Sequence, residues 1–376
     1  MKKRIFILTS SRADYNPLQN IINTFSKSKK FETFIVVTGQ HLDFNSGNTI
    51  KEITKNHDLK VIKIKYFIKF QNELNISKVK SIIADKFSKM LQRYKPSLLI
   101  LLGDRYELLP CAMSCIQFKI PIAHIHGGEV TRGSLDNIYR NAISKIANIH
   151  FVSHNDYRKN LIKLGENPKR IFNFGAPSIE NIKFDSVKRK LKKNFVKNKT
   201  FLVTYHPNTI YPKETKKEIT QLLKALSFFK NFNFILSQPN LDINSHEILK
   251  VINKYKKNKN ILIRKSLGKS DYFAKLQTVN GMIGNSSSII LESSSFKLPS
   301  LNIGSRQKGR ILTKNILSCE FKAEEIINNI KRISDKRFIK SINNLKNPFY
   351  KKDTSINIYN KISSISLDSI FHEKLL

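Results

Sequence analysis

The stretch Gly284-Asn285-Ser286-Ser287-Ser288, with Glu292 behind it, lies between the apolar runs Val279 to Ile283 and Ile289 to Leu291. Apolar run, small polar turn and second apolar run read as strand, loop and helix. The first turn of such a helix has unpaired backbone N–H groups, and the serine hydroxyls add donors, so the stretch suits a phosphate or pyrophosphate. A carboxylate further along the helix, Glu292, suits a ribose diol, as acidic residues do in dinucleotide sites. The same residues also describe a plain N-capped helix with a serine-rich start.

A second group suits proton transfer. Gly103-Asp104-Arg105 follows the apolar run Leu98 to Leu102 and puts an acid and a base at a strand tip, where the aspartate could equally cap the next helix. His124-Ile125-His126-Gly127-Gly128-Glu129 follows the next strand. Its glycines allow close approach to a ligand, and its imidazoles and carboxylate are candidate acid–base groups. A His-x-His pair also invites a metal, but no third ligand is evident and none is assigned. Asp136 and Arg140 share a helix face, either as an exposed ion pair or with Asp136 as a third carboxylate of the site. Crowded carboxylates raise one another's pKa and can yield a base near neutral pH.

These groups need a scaffold that gathers strand ends. Short β-rich runs alternate with amphipathic segments, the pattern of parallel sheets wrapped by helices. Expected strands in the first half are Arg4–Thr9, Thr33–Thr38, Ser97–Leu102, Pro121–Ile125, Ile149–Val152 and Arg170–Phe174, with helices from Pro17, Ile76, Glu107, Asp136 and Asp156. The alternation restarts with strands Phe201–Tyr205, Asn233–Leu236, Ile261–Arg264, Val279–Gly284 and Ser300–Ile303, and one expected helix is Ser286–Phe296. The expected class is α/β, with two Rossmann-like, doubly wound domains facing a cleft. Residues 1–182 would form the first domain, 183–199 a lysine-heavy linker, 200–350 the second domain, and 351–376 an amphipathic tail packing back on the first. Ligands of such sheets bind at carboxyl strand ends. Ser10-Ser11-Arg12-Ala13-Asp14-Tyr15, His206-Pro207, Pro239-Asn240-Leu241-Asp242 and Ser266-Leu267-Gly268 all follow expected strands. The first of these is not a Gly-x-Gly-x-x-Gly loop, which argues against NAD, although Arg12 suits a phosphate.

Composition narrows the class. With 376 residues and 40% hydrophobic content, the chain can build two full cores. No apolar run reaches a membrane span, and Ile5 to Leu8 is too short for a signal core, so the expected location is the cytoplasm. Three cysteines make no disulfide framework, and Cys111, Cys115 and Cys319 read as small buried hydrophobes. The net charge of +39 invites a nucleic-acid reading. The excess is lysine spread along the whole chain, with no nucleic-acid-binding signature, so no nucleic acid is expected.

Taken together, Ser11-Arg12-Ala13-Asp14-Tyr15, Thr38-Gly39-Gln40-His41-Leu42 with Gly47-Asn48-Thr49, Gly103-Asp104-Arg105, His124 to Glu129, Gly284 to Ser288 and Arg306-Gln307-Lys308-Gly309-Arg310 resemble the bacterial hydrolysing UDP-N-acetylglucosamine 2-epimerases of sialic acid synthesis. The resemblance covers nearly the whole chain, in order, and its last two motifs are the most specific. It implies a glycosyltransferase-B-like fold with the active site between the domains and a cofactor-free reaction. A base takes the sugar C2 proton as UDP leaves C1, and the 2-acetamidoglucal then gains water at C1 and a proton at C2, giving N-acetylmannosamine and UDP. By analogy Asp104, Glu129, Asp136 and His126 do acid–base work, and His206 lies near the pyrophosphate. Arg12, Asn16, His41, Arg105, Asn240, Asp242, Ser266, Asn285, Ser286, Ser287, Glu292 and Arg306 match substrate or nucleotide positions. UDP-N-acetylglucosamine and UDP are the expected ligands and a homo-oligomer the expected assembly, without membrane contact.

This chain departs from the family pattern in places. Some members carry a glutamate where it has His126, and Glu129 is taken as the replacement. Ile289 stands where a glycine usually follows the serines, and Asn141 where a histidine usually follows the arginine, changes expected to tune the substrate. Two alternatives stay open: a hydrolysing epimerase of UDP-N,N'-diacetylbacillosamine in legionaminic acid synthesis, and a glycosyltransferase of the same fold.

Overall fold

Each central strand serves two cores, and its alternating side chains show why. In the computed structural model Ile5 and Ile7 of β1 (Lys3–Thr9) enter one buried cluster while Phe6 and Leu8 enter another. Leu98, Ile100 and Leu102 of β4 (Leu98–Leu102) likewise join the first and Leu99 and Leu101 the second. Strands apolar on both faces are those of parallel sheets covered on both sides by helices. The structure describes residues 2–43, 49–54, 59–67, 72–180, 182, 198–237, 245–264 and 268–374.

The chain divides into two units. The first holds Met1–Glu129, Asp136–Glu180 and Phe349–Leu376, the second Val130–Leu135 and Asn181–Pro348. In the first, β1, β4, β2 (Phe31–Val37), β3 (Lys60–Lys63), β5 (Ile122–Ile125), β6 (Ile149–Val152) and β7 (Ile171–Asn173) form one parallel sheet, ordered β3-β2-β1-β4-β5-β6-β7. In the second, β8 (Lys199–Thr204), β9 (Phe232–Ser237), β10 (Ile261–Arg264), β11 (Gly281–Gly284), β12 (Ser300–Ile303) and β13 (Ile316–Cys319) are also parallel, ordered β10-β9-β8-β11-β12-β13. Both orders reverse direction beside the first strand, the switch point at which doubly wound sheets open toward a ligand. No described helix is long and apolar enough to cross a membrane.

Several expectations change. The two outer strands β3 and β13 were not anticipated; each has only four residues, too few to show a period. The helix Ala323–Ile333 was also missed, although Ala323, Ile326, Ile330 and Ile333 bury one face at helical spacing. The first helix starts at Arg12, not Pro17, because Ser11 and Asp14 form a capping box that outweighs the proline inside it. The first domain is not continuous either. Val130–Leu135 belongs with the second unit, where the Arg132 N–H donates to the Lys308 carbonyl at 2.9 Å and the Leu135 N–H to the Thr209 hydroxyl at 3.1 Å. Of the expected linker, 183–197 lie outside the described residues. Cys111 and Cys115 sit in the second cluster of the first unit, where burial raises both thiols.

The tail completes the first unit. Ile358 and Ile362, one turn apart on the helix Thr354–Ser364, share a cluster with Ile21 and Phe25. Tyr359 packs edge-on to Phe25 at 5.2 Å, and its hydroxyl meets Ser28 Oγ at 2.8 Å. Beyond it, Lys374 closes an ionic cluster on β6. The Glu166 carboxylate is 2.7 Å from Lys374 Nζ, 3.1 Å from Lys145 Nζ and 3.1 Å from His150 Nε2.

Burial alone would raise the Glu166 carboxyl, but the hydrogen bonds from His150 and Lys374 and the Lys374 charge outweigh it and bring it down to about 2. A carboxyl depressed by folding stabilises above its unfolded pKa, and that contribution disappears as pH falls through the folded value. Glu166→Gln should therefore lower Tm at pH 7 and flatten the acid loss of stability between about pH 4.5 and about pH 2. A thermal melt series by circular dichroism checks this; a variant that melts like wild type at pH 7 would show that the cluster contributes nothing.

Candidate active site

In the first unit one buried cation joins two strand ends. Arg140, on the helix Asp136–Ile146, is 1% exposed. Its Nη2 donates to the Asp104 carboxylate after β4, and its Nη1 to the Glu129 carbonyl after β5 at 3.0 Å. Arg140, considered from spacing as half of an exposed ion pair with Asp136, is instead buried and linked to Asp104. The guanidinium is planar and forked, so it can hold two acceptors on separate loops at once. Asp136 opens the same helix, half-buried in the first turn, where the helix dipole favours a carboxylate.

The turn after β5 is tightly constrained. His126 has φ 66°, a left-handed conformation uncommon outside glycine, and its N–H donates to the Phe151 carbonyl at 3.0 Å. Gly128 has φ +74°, and a Cβ there would lie 2.2 Å from the Tyr157 carbonyl oxygen, so only glycine fits. The Glu129 carboxylate is 2% exposed. Its Oε1 accepts from Ser153 Oγ at 2.9 Å and lies 2.6 Å from His126 Nδ1. A carboxylate only accepts, so the hydrogen bond to Glu129 puts a proton on Nδ1 and fixes the orientation of the imidazole. His124 has a different job. It is wholly buried, with Nδ1 at 3.0 Å from Ser144 Oγ and Nε2 at 2.8 Å from the Gly103 carbonyl. Burial brings its pKa down to about 3, so it is neutral and ties β4 to β5. Both its ring nitrogens are thereby engaged within the fold, and His126, two residues on, leaves the strand in a left-handed turn. Among the described residues no three His, Cys, Asp or Glu side chains gather as metal ligands would.

At the ends of β1 and β2 the polar groups mostly hold one another. The Asp14 carboxylate accepts the Ser10 N–H at 2.6 Å and the Ser11 N–H at 2.7 Å, along with both hydroxyls. His41 is fully buried, with Nε2 3.0 Å from Thr9 Oγ1 and Nδ1 2.5 Å from Thr49 Oγ1. Burial lowers its pKa, against the nearby Asp14 and Glu52 charges. At His41, an expected substrate contact, both ring nitrogens brace the end of β1 against the segment after β2. Arg12 donates to Glu52 at 2.5 Å and keeps 27% of its side chain exposed, and Asn16 lies half-buried one turn on. Arg105 forks onto Glu107, Nε to Oε2 at 3.1 Å and Nη2 to Oε1 at 3.0 Å. Sequence reasoning missed Glu107 and took it for an ordinary helix start; nothing local signals its burial.

In the second unit Asn285 is a latch at the β8/β11 switch point. Its Oδ1 accepts the His206 N–H at 2.7 Å and its Nδ2 donates to the His206 carbonyl at 2.9 Å. Expected from the sequence as a nucleotide contact, its amide fixes the His206 backbone. The serine-rich helix is also shorter than expected, Ser287–Leu291 rather than Ser286–Phe296. Serines compete for the helix backbone: Ser293 Oγ donates to the Ile289 carbonyl at 2.6 Å. Ser286 is the N-cap, accepting from the Ser288 N–H, and Ser287 is half-buried. Glu292 falls at the C-cap and accepts from Tyr272 Oη at 2.7 Å. Arg306, half-buried after β12, sits in the loop whose Lys308 carbonyl receives Arg132. Asn240, Asp242 and Ser266 lie outside the described residues, as do Gly47 and Asn48.

Comparison with known proteins agrees with this arrangement. The family described as UDP-N-acetylglucosamine 2-epimerase matches residues 23–363. The GDP/UDP-N,N'-diacetylbacillosamine 2-epimerase (hydrolyzing) of Campylobacter jejuni is 38% identical over 327 residues, 85% of each chain. The polysialic acid biosynthesis protein P7 of Escherichia coli is 32% identical over 362 residues, 94% of this chain and 92% of that one. In fold, the UDP-GlcNAc 2-epimerase of Neisseria meningitidis bound to UDP-GlcNAc superposes with a TM-score of 0.81 at 15% identity, covering 96% of this chain and 100% of that one. Two parallel α/β units of the glycosyltransferase-B kind, with a match running through both, make this chain a member of the UDP-N-acetylglucosamine 2-epimerase family.

Proposed function

We propose that the protein is a hydrolysing 2-epimerase of a UDP-linked 2-acetamido sugar. The observation that carries this reading is the Arg140 link, which brings Asp104 and the His126–Glu129 turn to one point in the first unit. The C2 proton of such a sugar is weakly acidic, so its removal needs a positioned base and help for the departing pyrophosphate. His126 Nε2, oriented by Glu129, takes the C2 proton as the C1–O bond breaks and UDP leaves. Asp104, with Asp136, serves the second half of the reaction, in which water adds at C1 and a proton at C2 from the opposite face. The products are UDP and the free 2-epimeric sugar. In the second unit His206, Ser286, Ser287, Glu292 and Arg306 are assigned to the nucleotide, and in the first Arg12, Asn16 and Arg105 to the rest of the substrate.

The 38% identity to the Campylobacter enzyme favours UDP-N,N'-diacetylbacillosamine as the sugar nucleotide. UDP-N-acetylglucosamine, giving N-acetylmannosamine for sialic acid, is the second reading. It is favoured by the 32% identity to the polysialic acid protein and by the fold shared with an epimerase solved with UDP-GlcNAc.

Offered either nucleotide without an acceptor, the protein should release UDP, and in deuterated water the sugar product should carry deuterium at C2. Mass spectrometry of the reducing sugar identifies which substrate turns over. UDP release that depends on an added acceptor would make the protein a glycosyltransferase, and retention of the original C2 hydrogen would rule out elimination.

Asp104→Asn, His126→Gln and Glu129→Gln keep shape and remove function, so each should cut turnover by about 10²–10⁴-fold while UDP still binds. If the imidazole is the base, His126→Gln loses at least as much as Glu129→Gln; the reverse order would move the base to the carboxylate.

Ser287→Ala should weaken UDP binding by about 1.5–3 kcal/mol, the value of a hydrogen bond to a charged group, without changing Tm. Calorimetric titration reads this directly, and unchanged affinity would reduce the serine loop to a helix cap.

A further inference from the structure

Glu107 is a wholly buried carboxylate at the end of β4 and the N-cap of the helix Leu108–Gln117. Both its oxygens are taken by Arg105, which keeps 14% of its side chain exposed. Three strand-end loops close over it. A Cβ on Gly39, after β2, would lie 3.0 Å from Glu107 Oε1 and 2.6 Å from the Ser10 carbonyl after β1. The Arg105 guanidinium lies 5.7 Å from the ring of Tyr106. Burial pushes the Glu107 carboxyl up, and the Arg105 charge and hydrogen bonds pull against it.

A buried ion pair is a weak source of stability, since desolvation offsets its attraction, and apolar replacements often do as well. Its distinctive property is geometric: a forked carboxylate fixes the plane and direction of a guanidinium. Here the fixed cation adjoins Asp104 in the chain, at the strand end assigned to the reaction. We propose that Glu107 is a positioning residue for Arg105. It holds the guanidinium in one orientation, so that Arg105 meets the anionic portion of the sugar nucleotide without being ordered on binding. This inference rests on the functional reading above, which assigns Arg105 to the substrate.

The test is a double-mutant cycle on Glu107→Gln and Arg105→Gln with the substrate that wild type turns over. Glu107→Gln should raise KM about tenfold or more, with kcat changed far less, because the lost interaction is present in both ground and transition states. Arg105→Gln should do the same, and the double variant should be no worse than Arg105→Gln alone. Multiplying effects, or a fall in kcat with KM unchanged, would overturn the positioning role. If Glu107→Gln fails to fold, the double variant, which removes both buried charges, gives the comparison with Arg105→Gln. A second readout does not need turnover. The Arg105 Nε–H resonance, assigned by its loss in Arg105→Lys, should exchange slowly with water in wild type and rapidly in Glu107→Gln. Equal exchange in the two proteins sinks the inference even if wild type is an active epimerase. A wild type that turns over neither nucleotide sinks the functional reading and leaves the exchange measurement to decide the pair.

Discussion

Arg140 is the interaction on which the first unit's chemistry depends. It is a full charge removed from water, and it persists there because Asp104 and the Glu129 carbonyl share it. Removing one partner of a buried ion pair costs about 3–5 kcal/mol, since the survivor is left without compensation. The guanidinium therefore does more than neutralise Asp104. It couples the loop after β4 to the loop after β5, two loops that the sheet alone holds only at their roots. The spacing of the groups assigned to proton transfer is set by one side chain on a third element, the helix Asp136–Ile146.

The same economy runs through both units. Parallel sheets gather polar loops at one edge, and each loop brings backbone and side-chain groups that must be satisfied. Several polar residues that looked like ligand contacts satisfy the loops instead. His41 braces β1 to the segment after β2, His124 ties β4 to β5, and Asn285 latches the His206 backbone. Of the three, Asn285 acts directly on a residue assigned to the substrate, holding the His206 backbone through both its N–H and its carbonyl. Precision at a site is built this way, with supporting groups locked so that presented groups need no reordering.

This division explains what was legible in the sequence. The alternation of apolar runs and helices gave both sheets, because central strands such as Leu98–Leu102 are apolar on both faces and cannot be read otherwise. Asp104, His126, Glu129 and Ser287 stood out because small or flexible residues flank them at strand ends. What was not legible depends on contacts distant in sequence. Arg140 reaches Asp104 across 36 positions, and the Gly39 turn closes over Glu107 from another strand. Local spacing put Arg140 on one helix face with Asp136 but carried no sign that its guanidinium is buried against Asp104. The short outer strands β3 and β13 escaped for a simpler reason, since four residues do not establish a period.

The path of the chain after Glu129 adds a constraint that neither sheet imposes. The catalytic turn ends at Glu129, the next six residues, Val130–Leu135, belong to the second unit, and the chain returns to the first at Asp136. Within the second unit that excursion is fastened by the Arg132 N–H on the Lys308 carbonyl and by Thr209 on Leu135. Lys308 and Thr209 lie within three residues of Arg306 and His206, both assigned to the nucleotide. The two carboxylates Glu129 and Asp136 therefore stand at either end of a strap whose middle is hydrogen-bonded beside the nucleotide-side loops. Each fastening lies within the second unit and satisfies a backbone N–H of the excursion that no sheet pairs.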